Sequence, residues 1–292
     1  DKPPRLSLLE YLYFAGDDRF GALGVSTSPA EYAPRRLGPL PALGDTETLH
    51  ELIRLVQANE PVPEAQKRLI SPGVTLGGAR PKALLDIGGE QWVIKFSDGE
   101  PADTPLIEHA SMLLAQKANI RVAPTQAVRL LDGHAVIIKR FDRENGARLH
   151  CLSACVALRA AAERFGYPEL AQLLRRRGVV DGDQNVRDMH ELFRRMVFNA
   201  AVTNNDDHPR NHALLRHVDG WRLSPLYDVV PTPVVSVERR DLALTVGTYG
   251  RAASFYNLIS QCQRFGLTPE QARHEIGAIT ASSVPPGQRA RA

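Results

Sequence analysis

The chain has 292 residues, enough to bury a sizeable core and to divide into two lobes. Hydrophobic residues make up 43% and charged residues 24%, which excludes a disordered or fibrous chain. Lys plus Arg is 36 against 33 Asp plus Glu, and a net charge of +3 is too small to imply nucleic-acid binding. No apolar run approaches the roughly 18 residues that span a bilayer, so no membrane partner is expected, and no signal peptide is read ahead of the fold. Cys151, Cys155 and Cys262 are too few for a disulfide framework and fit a reducing cytoplasm. The start at Asp1 rather than Met reads as a processed or tagged chain.

Residues 1–45 combine a short apolar segment, "LSLLEYLYF" (6–14), with a Pro- and Gly-rich stretch, "SPAEYAPRRLGPLPALG" (28–44). Helical periodicity follows over 46–58, with Leu49, Leu52, Ile53 and Val56 on one face, and again over 64–70. The segment "SPGVTLGGARPKALLDIGGEQWVIKF" (71–96) then predicts a glycine-bearing loop and a hairpin turning at Gly88-Gly89. A helix is expected over 104–120, with Thr104 as N-cap and Pro105 at the first helical position. "APTQAVRLL" and "HAVIIKRF" predict a strand pair around Asp132-Gly133. From residue 150 onward helices are expected over 151–165, 168–177, 187–204, 254–265 and 268–281, interrupted by short strands within 213–230. One helix face then explains the four-residue spacing of Cys151 and Cys155 beside His150 better than a metal site, since no second pair exists.

The chemistry concentrates in "NNDDHPRNH" (204–212), followed by "WRLSPLYDVV" (221–230). Asp206 precedes Asn211 by five residues and Asp228 follows, the spacing of a protein-kinase catalytic loop and its later metal-binding Asp. In that chemistry one carboxylate accepts the proton of the attacking hydroxyl, while an Asn oxygen and a second carboxylate are hard ligands for Mg²⁺. The competing reading is an Asx-rich turn that caps its own backbone. Three features favour the kinase reading. "GVTLGGARPK" (73–82) is a loop whose backbone N–H groups can approach phosphates. Lys95 in "WVIKF" sits inside an apolar strand, and Glu108 follows in the next helix, where a kinase places its Lys–Glu pair.

In this order of parts the chain resembles the HipA family of serine/threonine kinases, toxins of type II toxin–antitoxin modules. The resemblance rests on "GGARPKALL" (77–85), "VIKF" (93–96), "EHASMLLAQKANI" (108–120), "KRFDR" (139–143), "NNDDHPRNHALL" (204–215), "WRLSPLYDVVPT" (221–232) and "NLISQCQRFGLTPEQA" (257–272), and spans roughly residues 70–280. It implies an α+β, bilobal, protein-kinase-like fold: an N-terminal subdomain over 1–70, a β-rich lobe with the Gly-rich loop over 71–143, and a mostly helical lobe with the catalytic loop over 144–292. It implies ATP and Mg²⁺, with Asp206 as catalytic base, Asn211 and Asp228 as metal ligands, and Lys95 on the phosphates. Thr75, Gly77 and Gly78 fall in the nucleotide loop, Lys139 to Phe141 in the linker that holds adenine through its main chain, and His208 beside the nucleotide. Asp142 and Arg143 are implied to brace the lobe junction. Thr75 stands where the family often carries a regulatory serine, with Ser71 as the alternative acceptor, and Lys139 replaces an acidic residue often seen there. The implied partners are a protein substrate, with an aminoacyl-tRNA synthetase as its class, and a helix-turn-helix antitoxin through which DNA is met indirectly.

Three readings compete with this one: a metal-dependent hydrolase built on Asp206, Asp207, His208 and His212; a small-molecule phosphotransferase; and an idle corepressor scaffold. The hydrolase leaves Lys95 and the glycine loop unexplained.

Overall fold

The computed structural model describes residues 6–35, 38–63, 66, 69, 80–233 and 240–283. The helix expected over 64–70 falls almost wholly outside these residues, as does the glycine-bearing loop up to Ala79, with Ser71, Thr75, Gly77 and Gly78. The chain divides into two compact units, one of residues 1–106 with 124–150 and one of residues 107–123 with 151–292.

In the first unit helix α1 (Leu8–Phe14) starts at a reciprocal cap, in which the Ser7 hydroxyl accepts the Glu10 N–H and the Glu10 carboxylate accepts the Ser7 N–H. Helix α2 (Thr46–Gln57) buries Leu49, Leu52 and Ile53 of its expected apolar face, whereas Val56, in its last turn, stays exposed. Four strands, β1 (Lys82–Ile87), β2 (Glu90–Lys95), β3 (Thr125–Arg129) and β4 (His134–Lys139), form an antiparallel sheet in the order β1-β2-β4-β3. Both expected hairpins are present. Gly88 and Gly89 lie at φ 64° and 82°, the left-handed pair that a two-residue turn between twisted strands requires. Leu49 and Ile53 of α2 pack with Ala83, Leu85, Ile94, Phe96, Leu130, Ala135 and Ile137 into one core. Burying each large apolar side chain there stabilises the unit by about 1.5–3 kcal/mol before entropy is counted. Two short strands, β5 (Arg143–Glu144) and β6 (Ala147–Arg148), follow as a hairpin around Asn145-Gly146.

Helix α3 (Thr104–Lys117) is three residues shorter than expected, and its cap lies one residue earlier. The Asp103 carboxylate accepts the Leu106 N–H, so Asp103 and not Thr104 is the N-cap. Asn119 at φ 57° ends the helix, and the Ile120 N–H closes back on the Ala115 carbonyl.

The second unit is mostly helical: α4 (Ala154–Ala160), α5 (Tyr167–Arg177), α6 (Gln184–Val202), α7 (Phe255–Ser260) and α8 (Pro269–Ser283). Strands β7 (Cys151–Ser153), β8 (Ala213–His217) and β9 (Gly220–Leu223) form a small antiparallel sheet. The helix expected over 151–165 is therefore corrected to a strand and a short helix. Cys151 pairs with Leu215 in the sheet, and the Ser153 hydroxyl accepts the Val156 N–H to start α4. Cys151 and Cys155 accordingly do not share a helix face; both are buried and neither forms a disulfide. The helix expected over 254–265 stops at Ser260 and gives way to a tight turn at Cys262–Phe265, closed by Gly266 at φ 82°. Helix α6 is the centre of the unit. It packs on α5, α8 and β9 and buries Met189, Leu192, Phe193, Met196, Val197 and Phe198. No helix among the described residues is long and apolar enough to cross a membrane.

Candidate active site

The polar loop begins where α6 stops. Thr203 takes the left-handed conformation (φ 60°) and the Asn204 N–H returns to the Asn199 carbonyl, which ends the helix and turns the chain. From there Asp206 and Asp207 diverge. Asp206 is exposed; Asp207 is buried. The Asp207 Oδ2 atom accepts hydrogen bonds from the Tyr167 hydroxyl, from Asn199 Nδ2 at 2.7 Å and from His212 Nε2 at 2.8 Å. All four side chains are buried, and the Tyr167 and His212 rings meet edge to face at 5.6 Å. Burial, then the Asp207 charge, pushes the Tyr167 hydroxyl well above its ordinary pKa and keeps it a donor. The Asp207–His212 bond closes the loop like a clasp. Within it the Asn211 amide donates to the Asp206 carbonyl at 3.2 Å, and the His208 N–H donates to the same carbonyl at 2.7 Å. The Asn211 amide nitrogen is thus engaged with its own loop, and Oδ1 is the side chain's acceptor atom.

Asp228 reaches the same end of the unit through the β8–β9 hairpin. Leu214 pairs with Leu223 and the Ser224 N–H donates to the Ala213 carbonyl, so the residues before β8 and after β9 emerge side by side. The Tyr227 hydroxyl donates to the Arg210 carbonyl at 2.7 Å, and the Thr232 N–H to the Thr203 carbonyl at 2.9 Å, joining the two loops on either side of Asp228. Asp228 itself is left-handed, at φ 61°. Asp and Asn tolerate this region better than other non-glycine residues, because their short polar side chains can bond to the local backbone.

A buried ionic knot fixes this geometry. Arg195 on α6 is fully buried and donates twice to the Glu191 Oε1 atom at 3.0 Å and to the Ser224 carbonyl at 2.7 Å. Glu191 also accepts the Arg121 N–H at 3.0 Å. Burial pushes the Glu191 carboxyl up, but the Arg195 charge, with Arg194 and the Arg121 N–H, holds it below its ordinary value. One helical turn earlier Asp188 accepts from Arg222 Nε at 2.8 Å and from the Leu223 N–H at 3.0 Å. The Leu226 N–H bonds to the Arg121 carbonyl and the Ala123 N–H to the Leu226 carbonyl. These residues escaped the sequence reading, although a Glu–Arg pair four apart inside the apolar stretch "ELFRRMVFNAAV" was a usable signal.

The other expected site residues lie as follows. Lys95 ends β2, 8% exposed, opposite Lys82 on β1 and Val136 on β4. Glu108 is buried on α3. His208 Nδ1 is buried with no hydrogen-bond partner among the described residues. Lys139 pairs its ammonium with Glu90 at 2.5 Å near the surface, a contact worth about 0–1 kcal/mol. The Lys139 N–H donates to the Pro124 carbonyl at 2.9 Å and the Arg140 N–H to the Gln91 carbonyl at 3.0 Å. Asp142 and Arg143 both engage the segment around Asp17 to Gly21 of their own unit.

The donors present fit Mg²⁺, which takes one or two hard oxygens from protein and fills the rest from water and phosphate. They do not fit the dinuclear hydrolase, whose Asp207 and His212 are locked on each other. Among the described residues no three His, Cys, Asp or Glu side chains gather to hold a metal ion.

The family model of the HipA-like C-terminal domain matches residues 74–285, well over half the chain. Among curated proteins, the putative kinase Y4mE of Sinorhizobium fredii is 26% identical over 259 residues, covering 80% of this chain and 59% of the relative. The putative kinase Y4dM of the same organism is 29% identical over 175 residues, covering 53% of this chain and 40% of the relative. The chain thus spans between two fifths and three fifths of the curated relatives it matches. Among solved structures, HipA of Shewanella oneidensis, determined with HipB and operator DNA, aligns with a TM-score of 0.64 over 91% of this chain and 70% of its own, at 19% identity. At that identity the likeness speaks to the fold.

Proposed function

The chain belongs to the HipA-like C-terminal domain family, and from that premise we propose that it is an ATP-dependent serine/threonine kinase with a bilobal, kinase-like fold. The reading is carried by one observation: the β8–β9 hairpin sets Asn211 and Asp228 at one end of the unit while Asp207, turned inward, leaves Asp206 as the exposed carboxylate of the loop.

In this reading Asp206 accepts the proton of a substrate serine or threonine hydroxyl as that oxygen bonds to the γ-phosphorus and ADP departs. Asn211 Oδ1 and the Asp228 carboxylate hold Mg²⁺, which supplies neutralisation of phosphate charge when bound. Lys95 draws the phosphates, the loop with Thr75, Gly77 and Gly78 covers them, His208 lies beside the nucleotide, and the Lys139–Phe141 linker carries the base. The enzyme works in the cytoplasm on a protein substrate, with an aminoacyl-tRNA synthetase as the candidate class. A helix-turn-helix antitoxin, like the HipB bound to the Shewanella protein, restrains it and supplies its link to DNA.

The test is transfer of labelled γ-phosphate from Mg²⁺-ATP to proteins of a cell lysate. Asp206→Asn should lower transfer at least about 10²-fold, the usual effect of removing a general base, with unchanged folding. Transfer that persists in this variant removes Asp206 from its role. Label arriving only on small metabolites replaces the protein kinase with a small-molecule phosphotransferase.

A further inference from the structure

Residues 17–22 lie outside the segment that the family model matches, yet a buried carboxylate and three arginines bond to them. Asp142 is completely buried and its carboxylate collects the Gly21 N–H at 2.7 Å, Arg140 Nε and Nη2 at 2.9 and 2.8 Å, and Arg143 Nη1 at 2.8 Å. The same guanidinium groups turn their remaining N–H groups on the loop's carbonyls. Arg140 donates to Asp18 and Arg19 at 2.7 and 3.0 Å, and Arg143 to Asp17 and Arg19 at 3.1 and 2.8 Å. Arg148, next in line on β6, bonds the Ala22 carbonyl and pairs with the Asp17 carboxylate at 2.6 Å. Phe20 packs edge-on against Phe141 at 5.5 Å and 88°. Burial pushes the Asp142 carboxyl up, but the hydrogen bonds and charges of Arg140 and Arg143 and the Gly21 N–H leave it below the ordinary range. Desolvation, reinforced by Arg140, brings Arg143 down to about 10.

We propose that residues 17–22 are a strap that positions the Lys139–Phe141 linker for nucleotide binding, with Phe20, Asp142, Arg143 and Arg148 as its positioning residues. The inference rests on reading that linker as the segment that carries the base. The physical reason is a shared set of partners. Lifting the strap strips Asp142 of one donor and leaves the buried Arg140 and Arg143 groups without their carbonyls. Unmade bonds to buried charges are expensive, so the linker cannot hold its conformation without the strap. Any nucleotide that fixes the linker must by reciprocity fix the strap.

The test uses the whole chain. Arg19 provides the reporter, because trypsin cuts after it only when the strap lifts from its seat. ADP with Mg²⁺ should slow cleavage between Arg19 and Phe20. Arg148→Gln, whose lost contacts are to Asp17, Ala22 and Tyr32, should speed that cleavage. It should also weaken ADP binding about five-fold or more, the low end of coupling between linked sites, with the loss appearing in KM for ATP more than in kcat. Phe20→Ala, which touches no ion pair, should do the same to a smaller degree and covers the case in which Arg148→Gln does not fold. Faster cleavage with an unaltered ADP affinity, or cleavage indifferent to ADP in a wild type that binds it, overturns the strap and spares the kinase reading. A wild type that binds no adenine nucleotide overturns both.

Discussion

Both units solve one problem with the same device, and they solve it at different risk. In each, a buried carboxylate gathers guanidinium groups whose remaining N–H groups seize main-chain carbonyls beside a candidate site segment. In the second unit the pair is Glu191 and Arg195, four apart on α6, so the helix itself fixes their geometry before any loop docks. In the first unit Asp142 holds Gly21 across 121 residues of chain, and Arg148 holds Ala22 across 126. Nothing local prearranges that meeting, and the ordering entropy of the N-terminal segment is charged against it. The helix-borne knot around Asp228 is therefore a fixture, whereas the strap knot beside the linker is the one able to open.

The sharpest way to break this contrast is Arg195→Met. The substitution roughly keeps the volume of the side chain but takes from Glu191 its fully buried cation, leaving only Arg194 and the Arg121 N–H on that carboxylate, and frees the Ser224 carbonyl. Breaking a buried pair from one side costs about 3–5 kcal/mol, and urea unfolding should lose that much. A loss under about 1 kcal/mol would mean that the knot is not what holds the loop of Asp228. Arg148→Gln, at the edge of the other knot, should cost far less global stability while exposing Arg19 to trypsin.

Acid separates the two knots next. Asp142 and Glu191 both have folded pKa values below their unfolded ones. A depressed carboxylate contributes stability that is fully present above the unfolded pKa, near 4, and is lost as pH falls through the lower folded pKa. Melting temperature should thus fall below about pH 4. Asp142→Asn should flatten that acid limb by the share belonging to the strap knot. An acid limb with the same slope in this variant would assign the whole effect to the second unit.

Sequence made some of this legible and hid the rest for identifiable reasons. The hairpins were readable because Gly88-Gly89 and Asp132-Gly133 announce their turns locally, and α2 because its apolar face repeats with the helical period. The grouping of Asp206 with Asn211 was readable from spacing alone. Cys151 to Ser153 read as helix because three residues are too few to show a strand period, and only pairing with β8, some sixty residues on, makes them one. Thr104 was read as the cap because Thr is a capping type directly before Pro105, yet Pro suits the second helical position as well, which gives the cap to Asp103. The strap was invisible, since most of its bonds run through main-chain groups of Asp17 to Ala22, and its partners lie more than 120 residues away.

The smallest expected effect separates ligand from scaffold at Asp228. Its left-handed backbone is imposed by neighbours that bond on both sides: Leu226 to Arg121 before it and Thr232 to Thr203 after it. Asn tolerates that conformation as readily as Asp, whereas Ala does not. Asp228→Asn should leave unfolding free energy within about 0.5 kcal/mol, and Asp228→Ala should lose about 1–2 kcal/mol to strain. Both should lose the Mg²⁺ dependence of nucleotide binding, since neither retains the anionic oxygen that a hard cation prefers. Calorimetric titration of ADP with and without Mg²⁺, run beside urea unfolding, reads the two effects independently. Should the Asn variant be as unstable as the Ala variant while keeping its Mg²⁺ response, the Asp228 carboxylate is a brace for its own loop, and the metal must be held from Asn211 by another partner.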